Sequence, residues 1–164
     1  MYDLIQKTAA VPHLTILGGF HTTQDDTDLQ SFGTVLLLGP HEPGFWQGFT
    51  QSKEYLDGSP NPVDRWSVRT LTGLAAAFNA QPMFPFGGPP YQPFFKWAVR
   101  SGRCHSSPIN LLVHDEAGLL VSFRGALALP HRLELPPAAP SPCLSCPEQP
   151  CQSACPVDAF GTGV

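Results

Sequence analysis

Charge is scarce in this sequence. Only 13% of its 164 residues are Asp, Glu, Lys or Arg, against about 25% in an ordinary soluble domain. Lysine occurs three times and arginine six, scattered along the chain. The formal net charge is −4 and the pI is about 5.8. A protein that binds nucleic acid through phosphate neutralisation carries a basic field, and this one does not. Long apolar runs are missing as well. No stretch approaches the ~18 residues of a membrane-crossing helix, so no membrane partner is expected. Met1-Tyr2-Asp3-Leu4 offers neither the basic flank nor the apolar core of a secretory leader. The expected location is therefore the cytoplasm, where thiols stay reduced. There is no G-x-G-x-x-G and no phosphate-binding P-loop. No Ser-His-Asp set can be assigned, and no catalytic residue is named.

Proline and phenylalanine are plentiful instead. Nineteen prolines are more than twice the usual share of about 5%, and eleven phenylalanines supply a core. Leu14–Phe20 and Thr34–Gly39 are short uncharged runs, expected as strands, and the second suits a strand buried on both faces. Pro43–Leu56 begins with proline and spaces Phe45, Trp46, Phe49 and Tyr55 as a helix would. The clearest helix is expected from Pro62 to about Asn79, with Asn61 as its cap and Leu71, Leu74, Ala75 and Phe78 on one face. The stretch from Pro82 to Tyr91 is too rich in proline and glycine for a long regular element. A short helix follows at about Pro93–Ser101. Ile109–His114 and Leu119–Leu129 read as two strands of a hairpin turning at Asp115–Gly118. The fold class is α+β for residues 1 to about 130. Trp46, Trp66 and Trp97 are expected as core anchors. Arg65, Arg69 and Arg124 either hold a phosphate or pair with Asp64, Glu54 or Asp115.

The character changes at Pro130. Five prolines fall between Pro130 and Pro142, which makes residues 131–142 a stiff, extended linker. Residues 143–164 then carry four of the five cysteines: Cys143, Cys146, Cys151 and Cys155. The spacing is C-x2-C-x4-C-x3-C-P. It matches the bacterial ferredoxin run C-x2-C-x2-C-x3-C-P except for two added residues between the second and third cysteines. Thiolates at such intervals lie on one tight loop and converge on a cluster of iron and sulfide. Pro156 ends the run as it does in ferredoxins. A structural zinc on four thiolates is the alternative. Disulfides and a redox-active C-x2-C pair account for the set less well. The leading expectation is a [4Fe–4S] cluster. In two-cluster ferredoxins the fourth cysteine of the run serves the other cluster, and residues 156–164 hold no further cysteine. Cys155 closes the first cluster, or Cys104 does so from a distance, or a cysteine beyond this sequence does. The ending Gly161-Thr162-Gly163-Val164 favours the last view, of a truncated ferredoxin-like segment. Cys104 and His105 also form a candidate metal or redox pair. Phe86-Gly87-Gly88-Pro89-Pro90-Tyr91 offers close backbone approach to a planar cofactor, or a packed turn.

Residues Thr34 to Pro130 resemble the cobalamin-processing and epoxyqueuosine-reductase group. The similar elements are Thr34–Gly39, the Pro62-Val63-Asp64-Arg65-Trp66 helix start, and a proline-bearing segment ahead of a helix ending Ala98-Val99-Arg100-Ser101-Gly102. Ser107–His114 follows, and then Gly118–Pro130 (GLLVSFRGALALP), the best single match. In the reductase branch a ferredoxin segment follows that domain, as the cysteine run does here. The resemblance implies a flavin-reductase-like or nitroreductase-like sheet-and-helix domain joined to a ferredoxin module. It implies an iron–sulfur electron-transfer protein, or the electron-transfer part of a reductase, working with a redox partner protein. A corrinoid- or flavin-dependent reductase is the alternative it carries, and a zinc-stabilised interaction module is the alternative that remains from the spacing. The acidic residue that the reductases place before the short helix is absent from Phe84–Gly88. The histidine that cobalamin-processing proteins follow with glycine is here His105-Ser106-Ser107-Pro108.

Overall fold

The computed structural model describes residues 1–160. Its centre is a four-stranded antiparallel sheet built from β1 (Leu14–His21), β2 (Thr34–Pro40), β3 (Gln81–Met83) and β6 (Gly125–Leu129), in the order β1-β2-β6-β3. Five helices accompany it: α1 (Tyr2–Ala10), α2 (Phe45–Thr50), α3 (Lys53–Leu56), α4 (Pro62–Ala77) and α5 (Phe94–Arg100). A separate two-stranded ribbon pairs β4 (Cys104–Ser106) with β5 (Leu112–His114). The class is thus α+β, as expected. None of the described helices is long and apolar enough to cross a membrane.

The apolar runs of β2 and β6 follow from the layering. Side chains alternate across a strand. Leu36, Leu38, Leu127 and Leu129 join Ile5, Phe49, Trp66 and Leu71 on one side of the sheet. Val35, Leu37, Ala126 and Ala128 join Phe20, Phe94 and Trp97 on the other. Both faces are covered, so neither central strand alternates with polar residues. The face that receives the α5 aromatics carries alanines on β6, and the face that receives α4 carries leucines. On the α5 side large aromatics thus oppose small alanines, a complementarity that suits dense packing.

Several expectations are corrected. The single helix over Pro43–Leu56 is two short ones. The chain breaks at Ser52, whose extended backbone and Oγ, accepting from Tyr55 N at 3.3 Å, cap α3. Asn61 precedes α4 in a left-handed conformation and makes no side-chain cap. Arg65 organises that entry instead, with two bonds to Asp57 and others to the carbonyls of Glu54, Ser59 and Pro60. The hairpin of Ile109–His114 with Leu119–Leu129 does not form. The turn is there, closed by reciprocal His114–Gly118 backbone bonds. Beyond it Leu119 and Leu120 turn outward, Leu120 at 92% exposure, and only Gly125–Leu129 enters the main sheet. Of the tryptophans, Trp66 and Trp97 are buried, whereas Trp46 is 59% exposed and leans on Phe49 and Tyr55. Helix α1 was not anticipated. Its buried Ile5 and Ala9 sit one turn apart, a stripe too narrow to stand out.

Two contacts pin the loops. Arg100 donates to both carboxylate oxygens of Asp26 (2.6 and 2.9 Å) and to His21 O, and lies 4.4 Å over the Phe20 ring. Hydrogen bonds from Arg100 hold the Asp26 carboxyl down at about 2. A depressed carboxyl stabilises the fold fully above its unfolded value of about 4. Stability measured by urea denaturation is expected to fall as pH drops from about 4 towards 2, and Asp26→Asn should flatten that fall. Thr34, fully buried, accepts from Leu133 N at 2.9 Å. Thr34→Val leaves that N–H unpaired and is expected to cost about 1–3 kcal/mol, read as a lower urea midpoint at unchanged slope.

A cysteine-lined cavity as candidate functional site

The linker does not hang free. Leu133 is buried, its N–H bound by Thr34 and its carbonyl by His21 Nε2 at 2.8 Å. Ala139 N donates to Gly102 O at 2.9 Å, and His105 Nε2 donates to Ala139 O at 3.0 Å. Gly102, at φ +70°, admits this approach, because a Cβ there would stand 2.6 Å from that of Ala138. The prolines keep the strap extended, and these bonds lay it beside the β4–β5 ribbon.

The cysteine run follows as two single turns of 3₁₀ helix, Pro142–Ser145 and Pro150–Gln152. Ser141 Oγ accepts from Cys143 N at 3.3 Å, and Cys146 N reaches back to Cys143 O. Gln149, in left-handed conformation, turns the chain between the second and third cysteines. The two residues added to the ferredoxin spacing are accommodated in this turn.

Cys143, Cys146 and Cys151 line one cavity of about 310 Å³, with Pro142, Pro150 and Ala154 beside them. Its opposite wall is Ser107, Val113 and Leu119, from the β4–β5 ribbon and its turn. The lining is almost wholly apolar apart from the sulfurs. Cys155, the fourth residue of the run, is not on that lining. Backbone N–H groups of Ala159 and Val157 point at its sulfur and hold its thiol below the ordinary range. All five cysteines are free thiols. Among the described residues, no three His, Cys, Asp or Glu side chains are grouped so as to hold a single metal ion.

Cys104 lies elsewhere. It is 1% exposed and packs in the core with Phe20, Met83 and Trp97. Burial, with Asp115 nearby, pushes its thiol up to about 11, the opposite of what a ligand needs. His105 points the other way, to the strap, so Cys104 and His105 do not form a pair. The arginines are engaged structurally: Arg65 with Asp57, and Arg69 with buried Glu54 at 2.6 Å. Arg124 reaches Ser122 and keeps its Nε unpartnered. Phe84 and Phe86 pack on each other at 5.3 Å, and Tyr91 of the same proline-rich segment is exposed.

His114, at the end of an expected strand, is a buried strut. It is 1% exposed. Its Nε2–H donates to Leu17 O on β1 at 2.7 Å, and its Nδ1 accepts from the backbone N–H groups of Glu116 and Ala117. These bonds tie the ribbon to the main sheet. The cavity wall Val113–Leu119 is thereby held in place. Sequence reasoning missed this wall, because nothing in the cysteine spacing points to it. Its one signal was the leucine pair Leu119-Leu120 next to a turn.

Comparison of the chain with protein-family models, with curated proteins and with solved structures found no match.

Proposed function

We propose that this chain is an iron–sulfur electron-transfer protein, or the electron-transfer part of a reductase. One [4Fe–4S] cluster would be held by Cys143, Cys146 and Cys151, with Cys155 completing the set. The observation that carries this reading is one apolar cavity lined on one side by three cysteines of a ferredoxin-like run. A tetrahedral zinc site draws its sulfurs to within about 4 Å of one another, since each Zn–S bond is about 2.3 Å. A cubane gives each thiolate its own iron, so its ligands ring a volume instead of meeting at a point. Three thiols that line one apolar cavity suit the second arrangement.

When bound, such a cluster accepts and releases one electron. The chain's own residues supply the setting. Val113, Leu119, Pro142 and Pro150 set apolar surface beside the half-buried cysteines, and the polarity of that surround is one of the levers that set a cluster's potential. Leu144, between the first two cysteines, is 84% exposed and faces whatever redox partner docks there. The resemblance to the cobalamin-processing and epoxyqueuosine-reductase group supports the same reading and proposes a flavin-reductase-like ancestry for residues 1–130. Anaerobic reconstitution with ferrous iron and sulfide tests it. A broad visible band that bleaches with dithionite and returns with air is expected. A colourless chain that takes up zinc stoichiometrically would reject it for a structural tail.

A further inference from the structure

A second cavity, of about 450 Å³, opens between the α1–β1 turn, α2 and α4. Its size is that of a small-molecule site. Four side chains on it hold unused hydrogen-bonding capacity. Trp66 is 5% exposed and lines the cavity, and its indole N–H donates to nothing among the described residues. Arg69 spends Nε and Nη2 on Glu54, which leaves Nη1. Thr70 Oγ1 and both ring nitrogens of His13 have no partner among the described residues. The His13 ring is placed by two glycines: a Cβ at Gly44 would stand 2.7 Å from its Nδ1, and one at Gly48 would meet its Cδ2.

The chemistry of that lining is one-sided. Indole and guanidinium only donate, and no Asp or Glu lies on the cavity. The complement is an acceptor, an oxyanion. The charge count chooses among oxyanions. Arg69 is the single permanent cation, and the Glu54 carboxylate already balances it. With Arg69 so balanced, any entering negative charge is met by the neutral donors of Trp66, Thr70 and His13 alone, which costs a dianion more than a monoanion. Gly73 adds an independent sign. It sits inside the sixteen-residue α4, where glycine is a poor helix former, and a Cβ there would meet nothing within 4 Å. Packing does not require it. It lines the cavity, so a larger side chain there would stand at the rim.

We propose that this cavity binds a small organic carboxylate, with Trp66, Arg69 and Thr70 as donors to it and Gly73 keeping its rim open. The proposal is independent of any cluster at the cysteines. It is tested on the 15N-labelled full chain by following the Trp66 indole N–H in NMR titrations with sodium benzoate and with inorganic phosphate at matched ionic strength. A saturable shift with benzoate is expected, with Trp46 and Trp97 still, and phosphate weaker by about tenfold or more. Gly73→Leu should weaken benzoate by about tenfold or more without lowering the melting temperature, since leucine is the better helix former. Thr70→Val should weaken it too. A shift that never saturates, that phosphate or chloride matches, or that both variants leave unchanged would overturn the assignment.

Discussion

His114→Phe is expected to destabilise the fold by about 3 kcal/mol. The phenyl ring removes all of the polar contacts and is also somewhat larger than the imidazole it replaces at a fully buried site. Leu17 O, Glu116 N and Ala117 N lose their partner together. A buried unsatisfied group costs about 1–3 kcal/mol. The two N–H groups belong to a surface turn and recover part of their loss from water, whereas Leu17 O, on β1, does not. A chain of this size loses roughly 2–4 °C of melting temperature per kcal/mol, so a fall of about 6–12 °C is expected in thermal denaturation. A change below about 0.5 kcal/mol, the level of an ordinary surface substitution, would show that the strut carries nothing. The variant also loosens the ribbon that walls the cysteine cavity, so cluster retention should fall with stability.

Serine at Cys143, Cys146 or Cys151 is expected to cut bound iron to about a tenth or less after reconstitution, because cluster binding and local folding are coupled. Serine at Cys155 is expected to cost less. That sulfur lies off the cavity lining and is already engaged by backbone N–H groups, so three thiolates remain around the cavity without it. The unequal series distinguishes the cluster from zinc, for which loss of any one of four thiolates at a tetrahedral centre weakens binding comparably. Iron and visible absorbance, measured side by side for the four variants, check the order. Equal losses at all four positions would contradict the geometry.

What could be read from the sequence was what local pattern decides. The runs Thr34–Gly39 and Leu14–Phe20 identified their strands because covered faces leave an uninterrupted apolar signature. Pro62 marked the start of α4 because proline suits a first turn. The cysteine run identified itself by spacing alone. The rest depended on partners distant in sequence. Leu119–Leu129 looks like one long strand, but Leu119 lines the cysteine cavity, Leu120 is exposed, Val121 and Phe123 pack against the α5-side core without joining the sheet, and only Gly125–Leu129 fits between β2 and β3. His114 looks like a turn residue because the carbonyl it braces lies 97 positions away. Trp46 sits at core spacing on a helix too short to bury it. The proline-rich strap read as a stiff, extended linker with no anchors, since those it has, Thr34 Oγ1, Gly102 O and the rings of His21 and His105, come from three separate parts of the chain.

The central claim is that the cysteine cavity holds an iron–sulfur cluster. Iron, acid-labile sulfide and zinc, measured together on the chain purified without air, test it most directly. About four iron and four sulfide per chain, with zinc negligible, is the predicted result. One zinc per chain and no sulfide would contradict it and leave the cysteines as a structural clasp.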